Sequence, residues 1–117
     1  MKAYSTLIKN PERKIKYKKF KEDGREQFHV GIWVDGSEEE LDQVERVEYL
    51  LHPTFKNRLR TSRARSNGFS ITFWAWGTFN VEVTIYKTNK KNESFEYPMT
   101  FDLPADDGTN YVDVSDV

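Results

Sequence analysis

Five separate stretches of this chain alternate apolar and polar residues with a period of two. That pattern suits β-strands with one buried face and little else. In "FHVGIWV", Phe28, Val30, Ile32 and Val34 fall on one side. Val47, Tyr49 and Leu51 do so in "VEYLL", Phe69, Ile71, Phe73 and Ala75 in "FSITFWA", and Phe79, Val81, Val83 and Ile85 in "FNVEVTI". "FEYPMTFDL" aligns Phe95, Tyr97, Met99, Phe101 and Leu103, and Pro98, which cannot donate to a ladder, predicts an edge or a bulge there. Turn signals separate the runs, at "DGSEE", "HPTF", "SNG", "WGT" and "TNKKN", and "SEEELDQVER" suits a short helical turn. Short alternating strands without a long helix predict an all-β chain, an antiparallel two-sheet sandwich of immunoglobulin-like architecture.

At 117 residues the chain reads as a single domain, 1–117, able to bury a core without metals or disulfides. It has no cysteine, which excludes a disulfide framework, thiolate nucleophiles and thiolate metal ligands. "MKAYSTLIKN" has no apolar stretch of the signal-peptide kind, and no run approaches membrane-spanning length. The expectation is an intracellular domain without membrane insertion, cytoplasmic if prokaryotic and nuclear if eukaryotic.

A net charge of −1 conceals segregation. "PERKIKYKKFKEDGR" (11–25) is mostly basic, and its "KIKYKKF" suits a strand whose lysines face solvent and protect a sheet edge. "KNRLRTSRAR", from Lys56 to Arg65, has no acid; it reads as a solvated loop, with an acidic partner as the functional alternative. No aromatic interleaves its arginines, so nucleic acid is not expected. The tail "DLPADDGTNYVDVSDV" carries only acids.

Catalysis has little to work with. There are two histidines, His29 and His52, and no zincin, nucleophile-elbow, P-loop or dinucleotide fingerprint. No catalytic residue, metal site or cofactor is expected. A recognition surface is better supported. "HPTF" (52–55) follows one strand and "WGTF" (76–79) precedes another, and the loops at one end of a sandwich cluster. Sharing an end, Phe55 and Trp76 would face each other across a narrow slot suited to a flat, weakly polar group. Trp76 has the opposite parity to Phe69, Ile71, Phe73 and Ala75, which takes it off the core face. The polar groups on offer are the Thr54 hydroxyl, the His52 imidazole and the backbone N–H groups around Trp76 and Gly77. Neither motif carries an acid, so a neutral amide suits the slot better than a cation. Gly77 lets the main chain approach a ligand closely. His52 fits a hydrogen-bonded structural role and a ligand contact equally well.

Taken together, "VEYLLHPTF", the arginine-rich segment, "NGFSITFWAWGTF" and "VEVTIY" resemble the YEATS domain family, and its prokaryotic branch in particular. The shared pattern is His52, Thr54 and Phe55 at the end of one strand, then Ala75, Trp76, Gly77 and Phe79 opening the next. The resemblance covers roughly residues 28 to 103. It implies an immunoglobulin-like sandwich of about eight strands and a non-catalytic module binding acylated lysine, acetyl or crotonyl, on a peptide or protein. It also implies that Phe55 and Trp76 sandwich the acyl-amide, with the Thr54 hydroxyl and the Trp76 N–H bonded to it. His52 would buttress Thr54, and Phe79 would anchor its strand in the core. The family's third aromatic wall falls in "REQFHVGIWVDG", where Phe28 or His29 would have to supply it. A prokaryotic setting leaves an alternative, an interaction or sensor domain of a signalling system with a different or lost ligand.

Overall fold

The structure, a computed structural model, describes residues 1–19 and 24–115. Its strands, in chain order, are β1 (Lys2–Leu7), β2 (Ile15–Lys19), β3 (Glu26–Asp35), β4 (Val44–Leu50), β5 (Leu59–Ser62), β6 (Ile71–Ala75), β7 (Phe79–Lys87), β8 (Glu93–Met99) and β9 (Tyr111–Asp113). They form two sheets of a β-sandwich. β3 is the hub of the first: β1 pairs with its second half and β2 with its first half, while β6 runs along the opposite side. The second sheet has the order β5-β4-β7-β8.

The alternating faces meet between the sheets. Val30, Ile32 and Val34 from β3 lie against Val47 and Tyr49 from β4 and Val81, Val83 and Ile85 from β7, all buried. Each such side chain stabilises the fold by roughly 1.5–3 kcal/mol relative to exposure. Tyr49 carries a hydroxyl into this apolar layer and donates it to the Phe69 carbonyl at 2.6 Å. Burial raises the Tyr49 pKa above its ordinary value, which keeps that hydroxyl a donor. Phe69 itself adopts φ of 55°, uncommon for a bulky residue, so the bond to Tyr49 pins a costly conformation from the core side.

Ser37 starts the one α-helix among the described residues, α1 (Glu38–Asp42), with a capping box. Its hydroxyl accepts from the Glu40 N–H at 3.1 Å, and the Glu40 carboxylate accepts from the Ser37 N–H at 3.1 Å. This is the short helical turn that "SEEELDQVER" predicts. Pro98 lies in β8, which is indeed an edge strand.

Several details differ from the sequence reading. The strands number nine among the described residues, and β9 joins β2 in parallel, so the sandwich is not wholly antiparallel. That pairing covers Ile15 to Tyr17 of β2, so Lys16 does not guard a bare edge; Phe20, the last residue of "KIKYKKF", lies outside the described residues. The apolar face of "FEYPMTFDL" stops early. β8 ends at Met99, Phe101 is half-buried, and Leu103, just before Pro104, is exposed. "KNRLRTSRAR" is not a free loop: residues 59–62 are β5, paired to β4. Arg65 finds its acids within the chain, bonding Glu38 and Asp42 of α1.

Candidate functional site

The β4–β7 ladder places the two aromatic loops together. Leu50, the last residue of β4, pairs with Glu82, three residues into β7. The chain leaving β4 therefore emerges beside the chain entering β7. The first loop, 51–58, is tied at its base by the Leu51 N–H donating to the Arg58 carbonyl at 2.7 Å and the Arg58 Nε donating back to the Leu51 carbonyl at 3.2 Å. "HPTF" closes as a turn, the Phe55 N–H donating to the His52 carbonyl at 3.0 Å. Pro53 holds the second position, where its fixed φ favours the turn.

Within that turn, the Thr54 N–H donates to His52 Nδ1 at 3.3 Å, and the Thr54 hydroxyl lies 3.0 Å from the same nitrogen. A ring nitrogen that accepts an N–H carries a lone pair, so the neutral imidazole has its proton on Nε2. The single Nδ1 lone pair is shared between that N–H and the hydroxyl, whose oxygen keeps lone pairs of its own with which to accept. His52 thus holds the threonine in place. Phe55 is fixed from behind: its ring meets Phe73 at 5.7 Å in a T-shaped contact and Phe79 at 5.5 Å.

The second loop, Trp76 to Thr78, carries the chain from β6 in one sheet to β7 in the other. Trp76 lies past the end of β6 and is 53% exposed, with the Arg25 guanidinium 4.4 Å from its ring centroid. At Gly77 a Cβ would meet no atom within 4 Å, and φ is not positive, so neither packing nor backbone conformation demands glycine there.

These pieces enclose a cavity of about 80 Å³, lined by His52, Thr54, Phe55, Trp76, Gly77 and Phe79, with Ala75 and Thr78. It brings together all five residues singled out from the sequence. It is far smaller than the roughly 300–1,000 Å³ of sites for drug-sized ligands; a short acyl chain is nearer its size. Phe79 is not purely a core anchor, since it packs on Phe55 and Phe73 and also lines the cavity. Neither Phe28 nor His29 closes a third wall. Phe28 is buried against Tyr17, Phe101 and Tyr111, and His29 stacks on Trp74 at 4.7 Å. Phe79 and Ala75 were legible only as motif positions; their place in the lining follows from the strand ends.

The family model of the prokaryotic YEATS domain matches residues 28–100, a span that includes both loops. The chain belongs to the YEATS family. That family is non-catalytic and is known for reading acylated lysine. A 58-residue stretch of this YEATS domain is 43% identical to transcription initiation factor TFIID subunit 14 of Schizosaccharomyces pombe, covering 50% of the chain and 23% of that protein. The match therefore spans under a quarter of that relative's length. Among solved structures, the yeast AF-9 homolog protein Yaf9 superposes with a TM-score of 0.58 at 20% identity, over 86% of this chain and 67% of that one. The Yaf9 YEATS domain recognizing an H3K122suc peptide superposes at 0.55 and 17% identity, over 85% and 68%. At those identities the likeness establishes the fold, an immunoglobulin-like YEATS sandwich.

Among the described residues, no group of three or more His, Asp or Glu is placed to hold a metal ion. Among the same residues, no helix is long and apolar enough to cross a membrane.

Proposed function

We propose that this domain binds the acylated side chain of a lysine in the slot between the two loops, with acetyl and crotonyl as the first candidates. The observation that carries the reading is the pairing of Phe55 and Trp76 on one small cavity with a threonine hydroxyl held by His52. The acyl-amide has an N–H needing an acceptor and a carbonyl needing a donor. Thr54 Oγ1, held in place by His52, supplies the acceptor; the Trp76 backbone N–H is the candidate donor. The rings flank the planar amide and the short chain, where dispersion and π contacts act without any charge on the ligand. Gly77 keeps the main chain thin on that side. The family's reading of acylated lysine, and the H3K122suc peptide recognised by the Yaf9 YEATS domain, support the class of ligand. The carrier is a peptide or a folded protein presenting the lysine at its surface.

The binding is expected at micromolar affinity or weaker, about −8.2 kcal/mol at the upper end, because the slot is small and open. Titration of acetyl-lysine, crotonyl-lysine and unmodified peptides, followed by the Trp76 indole resonance, tests this. Saturable shifts with acylated peptides alone are expected. Equal shifts with the unmodified peptide, or none up to about millimolar concentration, overturn the reading.

A further inference from the structure

The slot continues beyond its own walls in two directions. One groove, of about 460 Å³, opens past Thr54, Phe55 and Trp76 and gains Arg25, Gln27, Lys56 and an edge of Trp74. The other, of about 480 Å³, opens past His52, Thr78 and Phe79 and gains Glu82 and Glu96. The two grooves have no lining residue in common, so they leave the slot through different walls. Their charges are opposite. Among the described residues, the first carries the cations Arg25 and Lys56 and no acid. The second carries two carboxylates against one guanidinium, that of Arg58, whose Nε donates to the Leu51 carbonyl.

The carboxylate pair makes a second, independent point. Glu82 and Glu96 stand directly opposite each other in the β7–β8 ladder and are both exposed. Like charges in that arrangement destabilise a strand pair, and neither glutamate side chain has an ion pair or hydrogen bond among the described residues. Lys56 is likewise exposed and without a partner there. An external cation at the glutamates and an external anion at Lys56 would each relieve an unbalanced charge.

We propose that slot and grooves form one trough of graded charge, fitted to an acyl-lysine segment of mixed charge. Acidic residues of that segment lie over Lys56, and basic residues lie over Glu82 and Glu96. The inference rests on the acyl-lysine reading of the slot and adds a direction to it. The aromatic pocket holds the acyl group, while the charges decide which way the polypeptide runs through. A segment basic on both sides would lose at one groove what it gains at the other.

The test uses three acetyl-lysine peptides of equal length: one with neutral flanks, one with Asp on the N-terminal side and Lys on the C-terminal side, and one with that order reversed. Affinities measured at low salt should separate the two charged peptides by about tenfold, from a few-fold per matched charge. The neutral peptide should fall between them. The separation should shrink at about 0.5 M salt, where screening acts within a few ångströms. In the double variant Lys56→Glu, Glu96→Lys, the ratio between the two charged peptides should collapse or invert. If all three peptides bind equally, the trough is overturned and the slot stands. If none binds, both are overturned.

Discussion

Trp74 lies inside β6, with His29 stacked on it at 4.7 Å and the Lys18 ammonium 4.4 Å from its ring centroid. Trp76, two residues on with the same side-chain parity, lies past the strand end with about half its surface open. Both rings face away from the core, so parity alone does not separate a ring that serves the fold from one free to meet a ligand. The difference lies in what the neighbouring strand supplies. Register pairs His29 directly with Trp74, and β2 brings Lys18 alongside. No strand residue pairs with Trp76, and its large exposed face borders the slot.

Replacing the two tryptophans in turn is the most direct way to break this comparison. Trp76→Ala should weaken acyl-peptide binding by about thirtyfold or more, the scale of a binding hot spot. Its melting temperature should stay within about 2 °C of the parent, as for most surface substitutions. Trp74→Ala should do the reverse, lowering the melting temperature by roughly 8 °C for a loss of about 2 kcal/mol of packing, with peptide affinity largely retained. Circular-dichroism melts and peptide titrations on both variants read this out. Unfolding of Trp76→Ala would assign that ring to the fold.

A pH series sharpens the Trp74 side. Burial first, then the charges of Lys16 and Lys18, lower the His29 pKa below its ordinary 6.5. Its Nδ1 is buried without a hydrogen-bond partner among the described residues. The unfolded chain therefore takes up this proton at a higher pH than the folded one. The stability owed to neutral His29 is complete above about pH 7 and is lost as pH falls through 6.5. Glu40, Asp107 and Asp113, whose carboxyls are held below their usual values by hydrogen bonds, lose their contribution only in more acid solution. The melting temperature should thus fall by a few degrees between about pH 7 and 5.5, and His29→Gln should flatten that slope. An unchanged slope in the variant would remove His29 from the account.

The smallest effect is expected far from both rings. Arg65→Ala removes two exposed pairs, to Glu38 and Asp42, and should cost less than about 1 kcal/mol, diminishing with salt. Peptide affinity should not change, which makes this variant the control for the other two.

The interior was readable from sequence wherever a strand buries one face. Val30, Ile32 and Val34, or Val81, Val83 and Ile85, announce themselves by alternation because the other face is solvated. β1 did not, because its inward row of Ala3, Ser5 and Leu7 is scarcely apolar, and one of its outward residues is Tyr4, stacked on Trp33. β9 is three residues long and pairs with a strand nearly a hundred positions earlier, which leaves no local trace. Leu103 misled because alternation in "FEYPMTFDL" persists past the last ladder pair, Phe79 with Met99. The slot was legible because its residues sit at strand ends in two compact motifs. Its charged approaches were not: Glu82 and Glu96 are brought together by strand register, and Arg25 and Lys56 by the meeting of two segments from different sheets, not by proximity in the chain.

The span from Trp76 to Thr78 has one further consequence. Three residues bridge two sheets whose separation is set by the interdigitated core, about 10 Å in sandwiches generally. Such a taut tether cannot sway as a long lid would. The Trp76 side of the gap is thus tied to the spacing of the sheets, and room for a bulkier group on that side falls to small lining residues such as Ala75 and Thr78.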